Sequence, residues 1–238
     1  MNKISLLQKI IDSSNNIVFF TGAGISTLSG LKDFRSIDGL YNESWDYPPE
    51  SILSHSFFFF DMPYFYKFYK SRLNPIGYEP NIIHNYISLL EKKGKVKSVI
   101  TQNIDNLHTL AGTKNVLELH GNVMRNYCLK CHKFYDGNYV FNSNIVPLCE
   151  CGGFIKPDVV LYEEGLDEDI LNKSIESIKE CDTLIVVGTS LTVYPASSLI
   201  KYYDKNNLII INKDETIYDN VASLVIHDDL KDVFEQLR

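Results

Sequence analysis

Residues 17–26 read Ile-Val-Phe-Phe-Thr-Gly-Ala-Gly-Ile-Ser, an apolar run that leads directly into a glycine-rich turn. Consecutive apolar residues that end in such a turn are typical of a strand buried on both faces of a parallel sheet. The glycines let backbone N–H groups approach a pyrophosphate, and the N-terminus of the helix expected after them favours the same anion. A tight turn without a ligand explains the short motif equally well.

Further apolar runs predict more strands of the same sheet. They are Val96–Thr101, Thr183–Val187, Leu208–Ile211 and Leu224–Ile226. Helical periodicity is found at residues 4–11, 81–93 and 169–180, and Pro195 stands where another helix would begin. Strands that alternate with helices predict an α/β fold, a Rossmann-like doubly wound parallel sheet whose ligands gather at the carboxyl ends of the strands.

Two stretches interrupt this alternation, and both are interpreted as insertions. Residues 36–75 are rich in aromatic residues and predict a helical insertion, in which the phenylalanine run at 57–60 is expected to be buried. Residues 121–157 contain the clustered cysteines. The Rossmann-like domain is then discontinuous, built from residues 1–35, 76–120 and 158–238, and the insertions form a smaller inserted domain.

The composition is that of an ordinary globular protein. The chain has 238 residues, of which 45% are hydrophobic and 22% charged, enough to bury a full core and far from a disordered composition. Its formal net charge of -7 argues against direct binding to nucleic acid and leaves room for basic peptides or proteins as partners. The sequence shows no secretory leader and no apolar run near the roughly 20 residues that span a bilayer, so we expect a cytoplasmic protein without membrane contact.

Four of the five cysteines lie close together in the chain. Cys128 and Cys131 have the spacing of a standard zinc-ligand pair, and Cys149 and Cys151 are one residue closer than the usual pair. Such clustering in a chain without a secretory leader favours a metal over disulfides, and four thiolates suit a tetrahedral zinc ion. Unmetallated core cysteines, and His132 as a substitute ligand, are the alternatives.

The residues that continue the glycine turn carry a family resemblance. The motifs are Thr-Leu-Ser-Gly-Leu-Lys-Asp-Phe-Arg at 27–35, Thr-Gln-Asn-Ile-Asp-Asn-Leu-His at 101–108, Leu-His-Gly at 119–121, Pro-Asp-Val-Val at 157–160, Gly-Thr-Ser-Leu at 188–191 and Ile-Asn at 211–212. In this order, with the cysteine pairs between them, they resemble the sirtuin family over nearly the whole chain. The resemblance implies NAD and zinc as cofactors.

The resemblance also assigns residues to the NAD site. Ala23 and Thr27 would line the pyrophosphate site. Phe34 would shield the nicotinamide ribose, and Arg35 would belong to a mobile cofactor loop. The other residues assigned to the cofactor are Gly22, Gly24, Gln102, Asn103, Ile104, Asp105, His120, Gly188, Thr189, Ser190, Asn212 and Asp229, of which Thr189, Ser190 and Asn212 would hold the adenosine half. Lys32 stands where the family usually has proline, whose ring fixes φ, so we expect a less restrained loop.

Three residues are assigned to catalysis by the same resemblance. His120 would be the general base, Asp105 would accept a hydrogen bond from the nicotinamide carboxamide, and Asn103 would order a water molecule or a ribose hydroxyl. Histidine suits the first role because its unperturbed pKa lies near neutrality. Without the family context, His120 is more often a packed or capping residue, and His108 belongs to a polar loop that caps the next helix.

The resemblance extends to the substrate. Val159, Val160, Leu161 and Tyr162 look like the family segment that adds an extended peptide as a strand and lines an acyl-lysine tunnel. The acidic residues that follow predict basic residues around the acyl-lysine, although a solvated helix start explains them equally well. Tyr69 and Arg72 lie three residues apart in a predicted helix and could bind an acyl carboxylate, so succinyl or malonyl selectivity is a hypothesis.

The resemblance thus implies an NAD-dependent protein-lysine deacetylase or deacylase. It would transfer the acyl group to ADP-ribose and yield free lysine, nicotinamide and O-acyl-ADP-ribose. The alternative is a sensor of NAD or ADP-ribose, or an ADP-ribosyltransferase, on the same fold. The presence of His120, Asn103 and Asp105 disfavours a sensor without turnover. A dehydrogenase is disfavoured because no acidic residue stands about 20 residues after the glycine turn at a second strand end.

Overall fold

The apolar runs lie side by side as a parallel sheet in a computed structural model, which describes residues 2–36 and 38–238. Across the described sheet the strands follow the order Val116–Glu118 (β3), Val96–Thr101 (β2), Ile17–Thr21 (β1), Thr183–Val187 (β7), Leu208–Ile211 (β8) and Leu224–Ile226 (β9). The predicted strands are confirmed, and every neighbouring pair is parallel. The sequence does not reveal β3, because its third residue is Glu118 and its three residues therefore form no continuous apolar run.

The order of the strands creates a switch point in the middle of the sheet. From β1 the chain proceeds outwards to β2 and β3, and it later crosses to β7, β8 and β9 on the other side. Since the connections leave β1 and β7 in opposite directions, a crevice opens at their carboxyl ends, where open α/β sheets bind ligands. This order confirms the predicted Rossmann-like arrangement.

Helices cover both faces of the sheet. The α-helices of the described chain are Lys3–Ser13 (α1), Pro49–Ile52 (α2), His55–Phe60 (α3), Met62–Arg72 (α4), Ile82–Lys92 (α5), Leu107–Leu110 (α6), Gly137–Asn142 (α7), Glu168–Glu180 (α8) and Leu230–Glu235 (α9). Apolar side chains of α1, α5 and α9 pack on one face, and those of α8 pack on the other. The helices predicted at 4–11, 81–93 and 169–180 are confirmed. No described helix combines the length and the apolar character needed to cross a bilayer.

The helices expected after the glycine turn and after Pro195 are 3-10 helices, not α-helices. They comprise Ala23–Ser29 and Ala196–Tyr202. In the first, the Gly30 N–H donates to the Thr27 carbonyl oxygen at 2.9 Å, a bond between residues three apart that tightens the turn. Gly30 then ends the segment with a φ of 94°, in the left-handed region that glycine adopts without strain.

The two insertions form one smaller body with a shared core. In the second insertion, Gly121–Cys128 (β4), Phe134–Asp136 (β5) and Ile155–Val159 (β6) form an antiparallel sheet in the order β5-β4-β6. Buried aromatic residues of α4 pack against this sheet, and the Tyr66 hydroxyl donates to the Ile155 carbonyl oxygen. The predicted inserted domain of a helical and a cysteine-bearing module is therefore confirmed.

The exact domain boundaries stay a prediction. The strand β6 pairs with β4 and ends at Val159, so it runs across the predicted boundary between residues 157 and 158. Met1 and Ile37, which fall within the predicted segments 1–35 and 36–75, lie outside the described residues.

The phenylalanine run at 57–60 is only half buried, so the expectation that all of it is buried is wrong. Phe57 and Phe58 are buried, whereas Phe59 and Phe60 are 54% and 77% exposed. All four belong to α3, where consecutive residues point in directions about 100° apart, so one helix face cannot bury four in a row. The run therefore leaves two aromatic rings on the surface of the insertion.

Two histidines are buried against each other between α5 and α6. The rings of His84 and His108 meet edge to face, with centroids 4.9 Å apart. His108 Nε2 lies 3.0 Å from the Thr21 hydroxyl oxygen, and the Asn81 N–H donates to His84 Nδ1. Burial lowers the pKa of His84 to about 4 and holds the pKa of His108 well below its usual value. His108 is thus a core residue of α6 and not part of a solvated capping loop.

We predict that lowering the pH from neutrality destabilises the folded chain because of this buried pair. Unfolded histidines take up protons near pH 6.5 but folded His84 only near pH 4, so its contribution is complete above 6.5 and is lost as the pH falls towards 4. Such a histidine changes the free energy of unfolding by about 1.4 kcal/mol per pH unit in that window. Urea unfolding measured at about pH 6.5 and about pH 5 should show a smaller loss of unfolding free energy for His84→Gln than for the unsubstituted chain. Equal pH slopes would contradict this.

Candidate functional site

A cavity of about 990 Å³ opens at the switch point of the main sheet, beyond the ends of β1, β7 and β8. Nearly all the predicted cofactor and substrate residues line it. They are Gly22, Ala23, Gly24, Thr27, Phe34, Arg35, Gln102, Asn103, Ile104, His120, Val159, Val160, Leu161, Tyr162, Gly188, Thr189, Ser190, Asn212 and Asp229. This volume is at the upper end of small-molecule sites, so the cavity can hold a large cofactor.

Backbone atoms of two loops come into contact at this cavity. The Gly24 N–H donates to the Gly188 carbonyl oxygen at 2.9 Å, and the Gly22 N–H donates to the Val187 carbonyl oxygen at 3.1 Å. A Cβ atom on Gly24 would lie 2.8 Å from the Gly188 oxygen, and a Cβ atom on Gly22 would lie 2.6 Å from Thr189 Cβ. The glycines are therefore required by the close approach of the loops as well as suited to a ligand.

Polar side chains after β2 complete this edge of the cavity. Gln102 Nε2 donates to the Thr189 hydroxyl oxygen at 3.0 Å, and Asn103 Nδ2 donates to the Gly22 carbonyl oxygen at 3.1 Å. Asn103 is buried, and its Oδ1 atom has no hydrogen-bond partner within residues 2–36 and 38–238. Because a buried acceptor without a partner costs free energy, this atom suits a donor from a bound ligand.

His120 is held in the tautomer that a general base needs. Its Nδ1 atom lies 2.9 Å from the Gln102 carbonyl oxygen, which can only accept, so Nδ1 carries the proton and Nε2 keeps its lone pair. Burial lowers the pKa of His120, the hydrogen bond to Gln102 opposes this, and the charge of Arg35 lowers the pKa further. The ring is therefore neutral at neutral pH and able to accept a proton.

The four clustered cysteines bring their sulfur atoms together. All four Sγ atoms lie within 4.8 Å of one another, and the Cys128–Cys151 and Cys131–Cys149 pairs are each separated by 3.5 Å. Sulfur atoms bound tetrahedrally to zinc at about 2.3 Å lie roughly 3.8 Å apart, so this donor set fits the ion. The short spacing of the second pair is followed by Gly152, whose φ of 76° lets the chain turn sharply.

The surroundings of two of the sulfur atoms, those of Cys149 and Cys128, favour thiolates, whereas a backbone hydrogen bond from Gly153 is outweighed at Cys151, whose pKa the neighbouring Cys149 and Cys131 raise. The Tyr135 hydroxyl donates to Cys149 Sγ at 3.1 Å and lowers the pKa of that thiol to about 6. The Lys130 N–H donates to Cys128 Sγ at 3.3 Å. Among the described residues, His132 is not part of the convergent group of ligand atoms, so four cysteines are favoured over a histidine ligand. Cys181 stands apart and is buried in the core.

Comparison with known proteins relates this geometry to a family. Residues 22–195 match the Sir2 family. Two curated relatives, both named NAD-dependent protein deacetylase, are each 52% identical to the chain. The match to the one from Clostridium acetobutylicum covers 99% of this chain and 98% of the relative, and the match to the one from Clostridium perfringens covers 96% of both. The chain belongs to the Sir2 family.

Solved structures of Sir2 proteins share the fold of this family member. One holds a Sir2 variant with a deacetylated p53 peptide and 3'-O-acetyl-ADP-ribose, and it matches with a TM-score of 0.91 at 35% identity. Another holds Sir2 with a p53 peptide and NAD+, with a TM-score of 0.86 at 37% identity. Both matches cover 99% of this chain and 97% of the other. The predicted sirtuin family is thereby confirmed.

Asp105 is absent from the cavity wall of this Sir2 family member, unlike the other residues predicted to contact the cofactor or the substrate. Its Oδ2 atom accepts from the Ser26 hydroxyl at 2.6 Å, and its Oδ1 atom accepts from the Leu107 N–H at 2.9 Å. Asn103 Nδ2 donates to the same Ser26 hydroxyl oxygen at 3.2 Å. These bonds tie the carboxylate to Ser26 and to the start of α6. Ser26, which the sequence reasoning passed over although it lies in the glycine motif, links the two residues.

The segment at 159–162 contributes side chains to the cavity but offers few free backbone donors. Val160, Leu161 and Tyr162 donate their N–H groups to oxygen atoms of His120, Glu164 and Leu53 at 3.0, 2.9 and 3.0 Å. Strand addition needs unpaired backbone groups, so the expectation that a peptide adds to this segment as a strand stays a prediction, in which carbonyl oxygens rather than these three N–H groups would pair. The segment also lines the cavity.

Tyr69 and Arg72 do not form a site for an acyl carboxylate. Tyr69 is fully buried and stacks on Phe141 with ring centroids 5.5 Å apart. Arg72 Nε pairs with Glu43 Oε2 at 2.5 Å, and neither Tyr69 nor Arg72 lines the cavity. The hypothesis of succinyl or malonyl selectivity through this pair is therefore wrong. Glu43 also pairs with Lys32 at 2.9 Å, so an ion pair holds the position at which the family usually has proline. The expectation that Lys32 leaves the cofactor loop less restrained stays a prediction.

The cavity wall also contains residues that the sequence reasoning passed over. They are Asp33, Tyr41, Val193, Lys213 and Asp214, among others. Asp33 Oδ1 accepts from the N–H groups of Arg35 and Ser36 at 3.1 and 2.8 Å, so it orders the loop that carries Phe34 and Arg35. Asp33 precedes these two residues in the quoted motif, which was the available signal.

We predict that Cys151→Ser loses bound zinc and that Cys181→Ser keeps it. A hydroxyl in place of one of four convergent thiolates weakens the site, whereas Cys181 lies outside the group. Metal content per chain, measured by mass spectrometry of the purified proteins, checks this. A chelator should lower the thermal unfolding temperature only of the chains that hold zinc. Equal zinc content in the two variants would contradict the four-cysteine site.

Proposed function

We propose that this chain is an NAD-dependent protein-lysine deacylase, which transfers the acyl group to ADP-ribose and releases free lysine, nicotinamide and O-acyl-ADP-ribose. The observation that carries the proposal is a single cavity lined by the glycine loops, by His120 and by the apolar side chains of residues 159–161. The relatives named NAD-dependent protein deacetylase, and the Sir2 structures that hold NAD+ or 3'-O-acetyl-ADP-ribose beside a peptide, support it.

The cavity offers suitable partners to each part of NAD, which supplies a ribose carbon from which nicotinamide can leave. Gly22, Ala23, Gly24 and Thr27 fit the pyrophosphate, because N–H groups at a glycine turn bind anions. The side chains of Thr189, Ser190, Asn212 and Asp229 fit the adenosine half. The unpaired Oδ1 atom of Asn103 fits a donor near the nicotinamide ribose.

His120 acts as the general base in this proposal. Its Nε2 lone pair accepts a proton from a ribose hydroxyl while the Gln102 carbonyl oxygen holds the ring by Nδ1. The lowered pKa keeps the ring unprotonated before this step. The Val160 N–H donates to the His120 carbonyl oxygen at 3.0 Å, so the base and the apolar segment keep a fixed relative position.

Phe34 and Arg35 limit the access of water to the nicotinamide ribose in this proposal. The Phe34 ring packs edge to face on Tyr41 with centroids 5.5 Å apart, and the Arg35 guanidinium lies 5.3 Å from the centre of the same ring. Exclusion of water matters because a water molecule that attacks the ribose carbon hydrolyses NAD without removing the acyl group. The Tyr41 ring is thus the support for both side chains of the cofactor loop.

The proposed substrate is an acyl-lysine in a peptide or protein. Val159, Val160 and Leu161 give the acyl chain an apolar environment, and Tyr162 continues the wall. We propose basic residues around the acyl-lysine and no direct nucleic-acid partner, which the net charge of -7 supports. A cytoplasmic location and the absence of membrane contact stay predictions.

Zinc has a structural role in this proposal, with Cys128, Cys131, Cys149 and Cys151 as its ligands. Four protein ligands leave the ion no open position, so it stabilises the module and does not activate water. The cysteines lie at the end of β4 and just before β6, and β6 ends at Val159 in the cavity wall. Loss of zinc should therefore also disturb the acyl-lysine site.

We predict that the purified chain removes acetyl groups from an acetyl-lysine peptide only when NAD is present. Mass spectrometry should detect the free lysine peptide together with O-acetyl-ADP-ribose. His120→Ala should lower the rate by about 100- to 10,000-fold, the range expected when a positioned proton acceptor is removed. His132→Asn, at an exposed histidine outside the cavity, is the matched control and should retain the activity.

Other products would point to the alternatives. A peptide that gains the mass of ADP-ribose identifies an ADP-ribosyltransferase. NAD binding without turnover of acetyl-, propionyl- or longer acyl-lysine peptides identifies a sensor. Full activity of His120→Ala would contradict the assigned base.

A further inference from the structure

A second recess adjoins the cavity at Tyr162. It has a volume of about 570 Å³, and the residues that line it include Glu50, Ser56, Phe57, Phe60, Tyr162 and Glu163, which together are called the aromatic recess here. Tyr162 and Glu163 also line the main cavity. One molecule can therefore place a first group in the cavity and a second group in the recess.

The apolar part of the aromatic recess comes from α3. Phe60 is 77% exposed, and its ring lies edge to face with that of Phe57 at a centroid distance of 6.0 Å. The Ser54 hydroxyl caps this helix by accepting from the Phe57 N–H, so the two rings are carried by an ordered element. The Phe60 ring is therefore held in place and open to a partner, with the buried Phe57 ring beside it.

The polar part of the aromatic recess is negative. Glu163 is fixed by Ser56, whose N–H and hydroxyl donate to its two carboxylate oxygens at 2.8 and 2.9 Å. Glu50 is exposed in the first turn of α2. In the described ranges, no lysine, arginine or histidine forms an ion pair with Glu50 or Glu163. Two carboxylates thus stand beside aromatic rings without a cation of the chain.

We propose that the aromatic recess binds the side chain of an arginine or lysine that lies near the acyl-lysine in the same substrate, an inference that rests on the proposed deacylase function. The aliphatic stem of such a residue packs on the exposed Phe60 ring, and its cation meets the face of that ring and the carboxylates of Glu50 and Glu163. Arginine binds better than lysine, because its planar guanidinium is more weakly hydrated and stacks on aromatic rings. The recess then selects substrates by a residue other than the acylated one.

The test moves a single arginine along acetyl-lysine peptides that are otherwise neutral. In the unsubstituted chain, arginine at one position should lower KM by about three- to tenfold relative to alanine there and leave kcat unchanged. Glu50→Gln and Phe60→Ala should each reduce this advantage, and the double variant, which keeps Glu163 in the recess, should reduce it further. Both positions are exposed, so the fold tolerates the changes. Phe59→Ala is the matched control, because Phe59 is exposed on the same helix but does not line the recess.

Turnover of the all-neutral peptide separates failure of this inference from failure of the proposed function. If that peptide is deacetylated and arginine gives no advantage at any position, the recess is not a subsite. An advantage that is undiminished in the double variant also overturns the inference, since the gain then comes from the overall charge of the enzyme. If no peptide is deacetylated at all, the proposed function fails and the inference fails with it.

Discussion

The contact between the loops that follow β1 and β7 is the constraint on which the site depends. Parallel pairing places Thr21 beside Val187, so both strands end at the same level and their loops meet. The Gly24 N–H then bonds to the Gly188 carbonyl oxygen, at a distance that leaves no space for a Cβ atom on Gly24. Because the two loops approach backbone to backbone, the crevice at the switch point keeps its N–H groups and hydroxyls close enough together for one ligand.

Gln102 connects this crevice to His120. Its N–H donates to the Thr21 carbonyl oxygen at 3.0 Å, and its side chain donates to Thr189. Its own carbonyl oxygen holds Nδ1 of His120. A residue directly after β2 therefore positions the glycine-loop edge of the cavity and His120 together, which explains how a histidine from a segment after β3 reaches the cavity at the ends of β1 and β7.

Much of the fold and of the site follows from the sequence because strands buried on both faces leave continuous apolar runs. The glycine turn and the four cysteines are similarly local patterns, so they predict a phosphate-binding edge and a metal site. Other features depend on distant partners. Tyr69 is buried because Phe141 lies beside it. The Tyr162 N–H already donates a hydrogen bond because the Leu53 carbonyl oxygen lies near it. The side-chain bonds of Asp105 likewise depend on Ser26, which no spacing rule connects to it.

Hydrogen–deuterium exchange with and without added ADP-ribose tests most directly that the switch-point cavity is the cofactor site. It needs no substitution and therefore leaves the glycine contact intact. If the cavity binds the cofactor, exchange should slow at residues 22–28, 188–190 and 212–214, which line the cavity or lie next to its lining residues, and should change little at the cysteine module of residues 128–151. Protection confined to other parts of the chain, with unchanged exchange at residues 22–28, would contradict it.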